Sequence, residues 1–280
     1  YSDVTSDDYN SVQLTTTGKL YALNETQAQA EKWRDIASNT ASETGGTPDK
    51  IWGSVQPNSI SGLQLWFKAD SIAGLNDGDS IATWSDSSGN SRDATQSTAG
   101  SKPLYKTNIL NGRPTVRFDG SDDVLDITSG TVPIGPVTMF LVHTMASGGD
   151  AGGYYPLIIN GGGDYGFEIG GSNGGGNPNA LDIFNGSAND KRATLTNISA
   201  FATPTILSVV TTTDYIHDTA VWANGTAASM SNIGSSTQLN ENIGNGTQIG
   251  GFGPGQREKG DIFEIIIYNA ALSTTDRQNI

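Results

Sequence analysis

The chain has 280 residues and no cysteine, and its 15 basic against 29 acidic side chains leave a net charge of −14. Glycine supplies 36 residues and charged side chains only 16%, which suits many short strands joined by turns and leaves little room for long helices. This balance excludes a nucleic-acid backbone as partner, thiol chemistry and thiolate metal sites, and no run approaches the roughly 18 apolar residues of a membrane span.

Residues 1–17 are polar, rich in Asp, Ser and Thr, and lack a helical period, so they read as an extended arm. The one helix signal covers 24–38. Asn24 can cap it, Gln27 can return the bond as in a capping box, and Ala30, Trp33 and Ala37, with Ile36, make a narrow apolar stripe. Such a stripe cannot build its own core, so this helix is expected to dock on its own domain, on a sister copy or on another protein. Residues 39–50 are a linker by composition. The expected division is therefore 1–58, an arm, helix and linker for docking or oligomerisation, and 59–280, the main domain.

From residue 60 onward the pattern is strand and turn. A nearly continuous apolar strand is expected at 137–144, with shorter strands at 155–160, 165–170 and 181–184 between glycine-rich loops. The runs 205–212 and 220–223 are expected to pair, and Asn224-Gly225 is the strongest hairpin signal. A strand at 247–250 precedes the turn Gly253-Pro254-Gly255, and 261–268 closes the sheet. About a dozen short strands without intervening helices predict an all-β fold, a two-sheet antiparallel jelly-roll sandwich.

Three early pieces and one late piece carry a resemblance. Gly62-Leu63-Gln64-Leu65-Trp66-Phe67-Lys68-Ala69-Asp70 is followed by Trp84-Ser85-Asp86-Ser87-Ser88-Gly89-Asn90 and by Val116-Arg117-Phe118-Asp119-Gly120-Ser121-Asp122-Asp123. Near the far end stands the run Gly260-Asp261-Ile262-Phe263-Glu264-Ile265-Ile266-Ile267-Tyr268-Asn269-Ala270-Ala271-Leu272-Ser273. In this order the pieces resemble laminin G-like domains of the concanavalin A-like lectin/glucanase superfamily, over roughly 59–280. The resemblance implies that Trp66 and Trp84 pack inside a sandwich, with Leu65 or Phe67, Phe118, Phe140, Leu141 and Ile265. It also makes calcium a possible ligand. The chain starts at Tyr1 without Met or a signal-like segment and stops at Ile280 before the family's last helix, so a longer product is expected on both sides.

Tyr154, Tyr155, Tyr165 and Phe252 border the glycine-rich segments 148–153, 161–163, 170–176 and 250–255, where loop aromatics can stack on sugar rings; packing at the rim of a long loop is the plain alternative for each. Asp86 opens one oxygen-rich turn, and Asp119, Asp122 and Asp123 crowd a second. Either could hold calcium, and Asx turn capping is the plain alternative. The paired carboxylates of the superfamily's retaining glycosidases, at alternate positions of one strand, have no counterpart in the sequence. Asp261 and Glu264, three apart, should point to opposite faces of a regular strand. His143, inside an apolar strand, reads as a core histidine.

Residues 25–33 resemble the Ala/Glu-rich helical stretches, ending in Lys-Trp, that precede receptor-binding domains of phage tail fibres. The expectation is a non-catalytic module binding glycans or host-surface polysaccharide on a phage virion fibre or capsid decoration. It would be homo-oligomeric, at the virion surface, and joined to other virion proteins through its N-terminal segment. A secreted bacterial adhesin, purely structural cladding and, last, a polysaccharide-degrading enzyme stay open as alternatives.

Overall fold

Antiparallel pairing runs throughout the computed structural model, as expected where β-branched and aromatic runs alternate with tight turns. It describes residues 12–14, 19–22, 32–35, 40–43, 55–127, 131–132, 136–145, 155–160, 165–170, 177–185, 188–194, 204–213, 215–232, 243–244, 247–251 and 257–280. The chain divides into two units, Tyr1–Val55 and Gln56–Ile280.

In the first unit β1 (Val12–Leu14), β2 (Lys19–Ala22), β3 (Lys32–Asp35) and β4 (Thr40–Glu43) form a four-stranded sheet in that order. The helix expected over 24–38 is thereby corrected, because its segment Lys32–Asp35 is a strand paired on both sides. A lone amphipathic helix of this length is marginal in water, whereas two ladders satisfy the β3 backbone along both edges.

The second unit begins with β5 (Leu63–Lys68), β6 (Thr83–Trp84), β7 (Ala94–Thr95), β8 (Leu104–Leu110), β9 (Arg113–Asp119) and β10 (Leu125–Ile127). There follow β11 (Thr131–Val132), β12 (Val137–Met145), β13 (Tyr155–Asn160), β14 (Tyr165–Gly170), β15 (Asn177–Asn185) and β16 (Ala188–Thr194). The last strands are β17 (Thr205–Thr211), β18 (Thr219–Ala223), β19 (Thr226–Ala227), β20 (Ser229–Asn232), β21 (Ile243–Gly244), β22 (Thr247–Ile249) and β23 (Lys259–Tyr268), and a short helix α1 (Thr274–Asn279) closes the chain. One sheet has nine strands in the order β20-β16-β15-β14-β13-β22-β10-β7-β6. The other has eight, in the order β19-β18-β17-β12-β23-β9-β8, with β5 also paired to β23. β11 and β21 form a separate pair. Among the described residues no helix is long and apolar enough to cross a membrane.

Both large sheets feed one core. Leu65, Phe67, Phe118, Leu141 and Ile265 from the eight-stranded sheet meet Trp84, Leu125, Ile127 and Ile249 from the nine-stranded one, all buried. The Phe67 and Trp84 rings lie 5.3 Å apart. Trp66 and Phe140, expected in this layer, face the other way. Strand alternation sends Leu65 and Phe67 inward and therefore Trp66 outward, where it joins Phe140, Ile266 and Tyr268 in a second buried cluster. Ile60, Leu63 and Leu272 pack over that cluster, and the Tyr268 hydroxyl donates to the Pro57 carbonyl at 2.8 Å.

The Asn224-Gly225 hairpin forms as expected, with φ of 48° and 78° at its two central residues. Asn111-Gly112, not singled out in the sequence, makes the same turn between β8 and β9, with φ of 50° and 76°.

Candidate functional site

The outer face of the eight-stranded sheet is divided between two environments. At one end it is covered by the Trp66–Tyr268 cluster. At the other, Arg117 of β9 and Asp261 of β23 alternate with core residues Val116, Phe118 and Ile262, so both point away from the core. Arg117 Nε and Nη2 donate to the two Asp261 carboxylate oxygens at 2.7 and 2.8 Å. This fork-to-fork geometry holds the guanidinium above its ordinary pKa, the Asp261 bonds outweighing burial. The Thr144 hydroxyl lies 3.4 Å from the same carboxylate.

The Arg117–Asp261 pair lies in the lining of a cavity of about 550 Å³. Leu104, Ile109, Pro204 and Phe263 supply apolar walls, and Asp119, Asp123 and Lys259 add charge. A concave site with a few convergent polar groups and mostly apolar walls is the usual form of a small-molecule or sugar site. Its lining comes from strands on both sides of β23 and from residues beside them, so the sheet holds the groups in fixed relation.

The turn after β9 brings three aspartates together. One oxygen from each of Asp119, Asp122 and Asp123 lies within 4.8 Å of the others; Asp119 and Asp122 are exposed and Asp123 is buried. Asp119 accepts from the Ser121 amide at 2.7 Å, Asp122 from the Ser101 hydroxyl at 3.1 Å, and Asp123 from the Asp119 amide at 2.9 Å. The Asp123 carboxyl is pushed up to about 6, by burial first and then by the Asp119 charge, with the bond from the Asp119 amide opposing and Asp122 adding a little. Oxygens this close fit a calcium ion with ligands at about 2.3–2.6 Å.

Asp86 stands apart from this group. Its carboxylate accepts from the Trp66, Ser88 and Arg92 amides and from the Ser88 hydroxyl, so it pins its own turn to β5. Of the loop aromatics, Tyr154 and Phe252 lie outside the described residues. Tyr155 opens β13 opposite Ile169, and Tyr165 opens β14 opposite Asn185. They thus occupy opposite ends of one hairpin, and no single end gathers both.

Two further buried groups lie near this region in sequence. Glu258 has no exposed surface and no hydrogen-bond partner for either carboxylate oxygen, and burial, with Asp261 second, pushes it up to about 8. His143 is the core histidine expected: buried, unbonded at both nitrogens, and pushed down to about 4.

The Arg117–Asp261 pair was missed in the sequence. An arginine between two apolar strand residues gives its direction, but its partner 144 positions away depends on the β9–β23 register.

The class defined by these sheets is an antiparallel β-sandwich. A scan against protein-family models and a search of the curated proteins return no match. Among solved structures, the chain is similar to domain 4 of AbnA, an extracellular GH43 arabinanase from Geobacillus stearothermophilus in complex with arabinotriose, at 15% identity and a TM-score of 0.51, over 76% of this chain and 95% of that domain. It is also similar to Trypanosoma rangeli sialidase in complex with sialic acid, at 14% identity and a TM-score of 0.47, over 84% of this chain but 35% of the sialidase. The chain thus spans about a third of the length of the sialidase.

These findings overturn the expected role of a non-catalytic module displayed on a virion. The sandwich is similar to a domain of an extracellular arabinanase, and the segment 25–33 that suggested a fibre helix runs into the strand Lys32–Asp35.

Proposed function

We propose that the chain belongs to a carbohydrate-active, glycan-degrading protein, and that its sandwich holds the glycan in the outer-face cavity. The observation carrying this reading is the Arg117–Asp261 fork set among the apolar walls of a cavity of about 550 Å³. The likeness to a domain solved with arabinotriose supports the choice of sugar as ligand class. Within the sandwich class we place the chain nearest the laminin G-like group, on the opening and closing motifs quoted above.

The test is affinity electrophoresis of the full chain in arabinan, galactan, xylan and a sialylated glycoprotein, with reducing ends measured alongside. At least one glycan should retard the chain, and Arg117→Ala should abolish the retardation. Tyr155→Ala and Tyr165→Ala should leave it unchanged; if they abolish it instead, the sugar sits at the glycine-rich loops. No retardation and no released reducing ends would overturn the reading.

A second reading, that the cavity itself cleaves a glycosidic bond, is favoured by Asp123. A carboxyl that keeps its proton to about pH 6 close to other carboxyls has the property a glycosidase acid needs. Calcium at the same three aspartates is the competing proposal. The two uses exclude each other, because a bound dication would pull the Asp123 proton off.

A further inference from the structure

The charges around the cavity narrow the class of sugar, an inference that rests on the glycan-binding reading above. We infer that the cavity selects neutral glycans presenting adjacent hydroxyls and rejects sugars that carry a carboxylate. Three carboxylates line it, Asp119, Asp123 and Asp261, against two cations, Arg117 and Lys259. Arg117 is already engaged, with two of its nitrogens bonded to Asp261. A sialic or uronic acid would have to displace Asp261, whose side chain is only 9% exposed, and strand that charge without its partner.

A neutral diol requires no displacement. Each hydroxyl both donates and accepts, so one can donate to an Asp261 oxygen while its neighbour accepts from the remaining Arg117 terminal nitrogen. Leu104 and Ile109, 37% and 36% exposed, offer aliphatic surface to the C–H face of the ring. A cation at the aspartate turn would weaken the negative field, but it would not release Arg117 from Asp261. The preference therefore holds with and without calcium.

The experiment is calorimetric titration of the full chain, in calcium and again in EDTA. The probes are arabinan, galactan and xylan oligosaccharides, set against sialyllactose and oligogalacturonides. The expected result is binding of a neutral oligosaccharide at least about tenfold tighter than of either acidic one. Ile109→Glu, on the exposed wall, should lower that neutral affinity about tenfold without moving Tm. Asp261→Asn should shrink or invert the preference by releasing Arg117; should this variant fail to fold, Ile109→Glu carries the test. Acidic sugars bound as tightly as neutral ones would overturn the inference and leave glycan binding intact. So would neutral binding that Ile109→Glu does not alter, which would place the sugar elsewhere on the chain. Failure of every glycan to bind would remove the underlying reading as well.

Discussion

Asp261 and Glu264 lie on the same outward face of β23 although they stand three positions apart. The ladder with β12 pairs Val142 with Glu264 and then His143 with Ile262, which leaves Phe263 as an extra residue in a bulge. Beyond it Asp261 reaches Arg117, while Glu264 accepts from the Trp66 indole N–H at 2.6 Å. A regular strand would have sent one of the two carboxylates into the core. The bulge thus lets one strand serve the apolar cluster at one end and the cavity at the other.

Removing Arg117 should therefore cost more than a surface ion pair. Arg117→Ala would leave the Asp261 carboxylate, 9% exposed, without its fork. Breaking a wholly buried pair costs about 3–5 kcal/mol, and the 42% exposure of the Arg117 side chain reduces this to about 2 kcal/mol. Urea unfolding measures it. A loss below about 0.5 kcal/mol would place the pair among ordinary surface contacts. Adding Asp261→Asn to Arg117→Ala should recover part of the loss, because no buried charge is then stranded.

Much of the sandwich was legible because its strands repeat every two residues. The runs at 137–144, 155–160 and 165–170 and the Asn224-Gly225 turn follow from alternation and turn chemistry alone. Which face of β5 was inner was not legible, since Leu65, Trp66 and Phe67 are all apolar. The position of β5 beside β23 sets it, and that pairing spans about 200 residues of sequence. The Asp119–Asp123 turn was legible as oxygen density, whereas Asp86 looked equivalent and is not. Its lone pairs go to amides that only the folded turn and β5 bring within reach. The cavity pair was hidden for the same reason as β5: register is a long-range property. The bulge at Phe263 compounded this by defeating the opposite-face rule.

Stability should fall as pH rises from about 6.5 to 8. Burial pushes Glu258 up from 4.5 to about 8, so within that window the fold holds a proton that the unfolded chain has lost, and this stabilisation weakens as pH rises. His143 is pushed down from 6.5 to about 4, so its contribution strengthens as pH rises between those values. The two slopes oppose one another from about 4.5 to 6.5. Asp123, pushed up to about 6, is half-ionised there and adds to the fall until about pH 7, beyond which Glu258 carries it. Glu258→Gln should flatten the alkaline limb of a urea-stability profile. A variant profile parallel to the wild type over pH 6.5–8 would show that Glu258 does not cause the fall.

Gly250 and Gly112 should respond very differently to alanine. Both have positive φ, 82° and 76°. A Cβ on Gly250 would meet Phe118 Cε1 at 2.2 Å, inside the core, whereas one on Gly112 would meet nothing within 4 Å. Gly112→Ala carries only the left-handed backbone penalty, about 1–2 kcal/mol. Gly250→Ala adds displacement of a buried ring and should cost about 3 kcal/mol or more. Equal melting temperatures for the two variants would mean that Phe118 can move aside freely.

The aspartate turn should answer to calcium. Above pH 6 the Asp123 carboxyl ionises between Asp119 and Asp122, and three negative charges with oxygens within 4.8 Å call for a cation. Calcium binding only to the fold would raise stability by about 2.7 kcal/mol at a hundred times its Kd, readable as a rise in Tm that EDTA reverses. Asp123→Asn should abolish this rise. Without calcium the same variant should be the more stable chain at pH 7, because the amide oxygen can still accept from the Asp119 N–H and no buried charge remains. The sign of the Asp123→Asn effect thus reverses between EDTA and calcium. A Tm indifferent to calcium, together with reducing-end release that needs Asp123, would assign the turn to acid catalysis instead. Indifference to calcium with no such release would leave the three aspartates as turn caps.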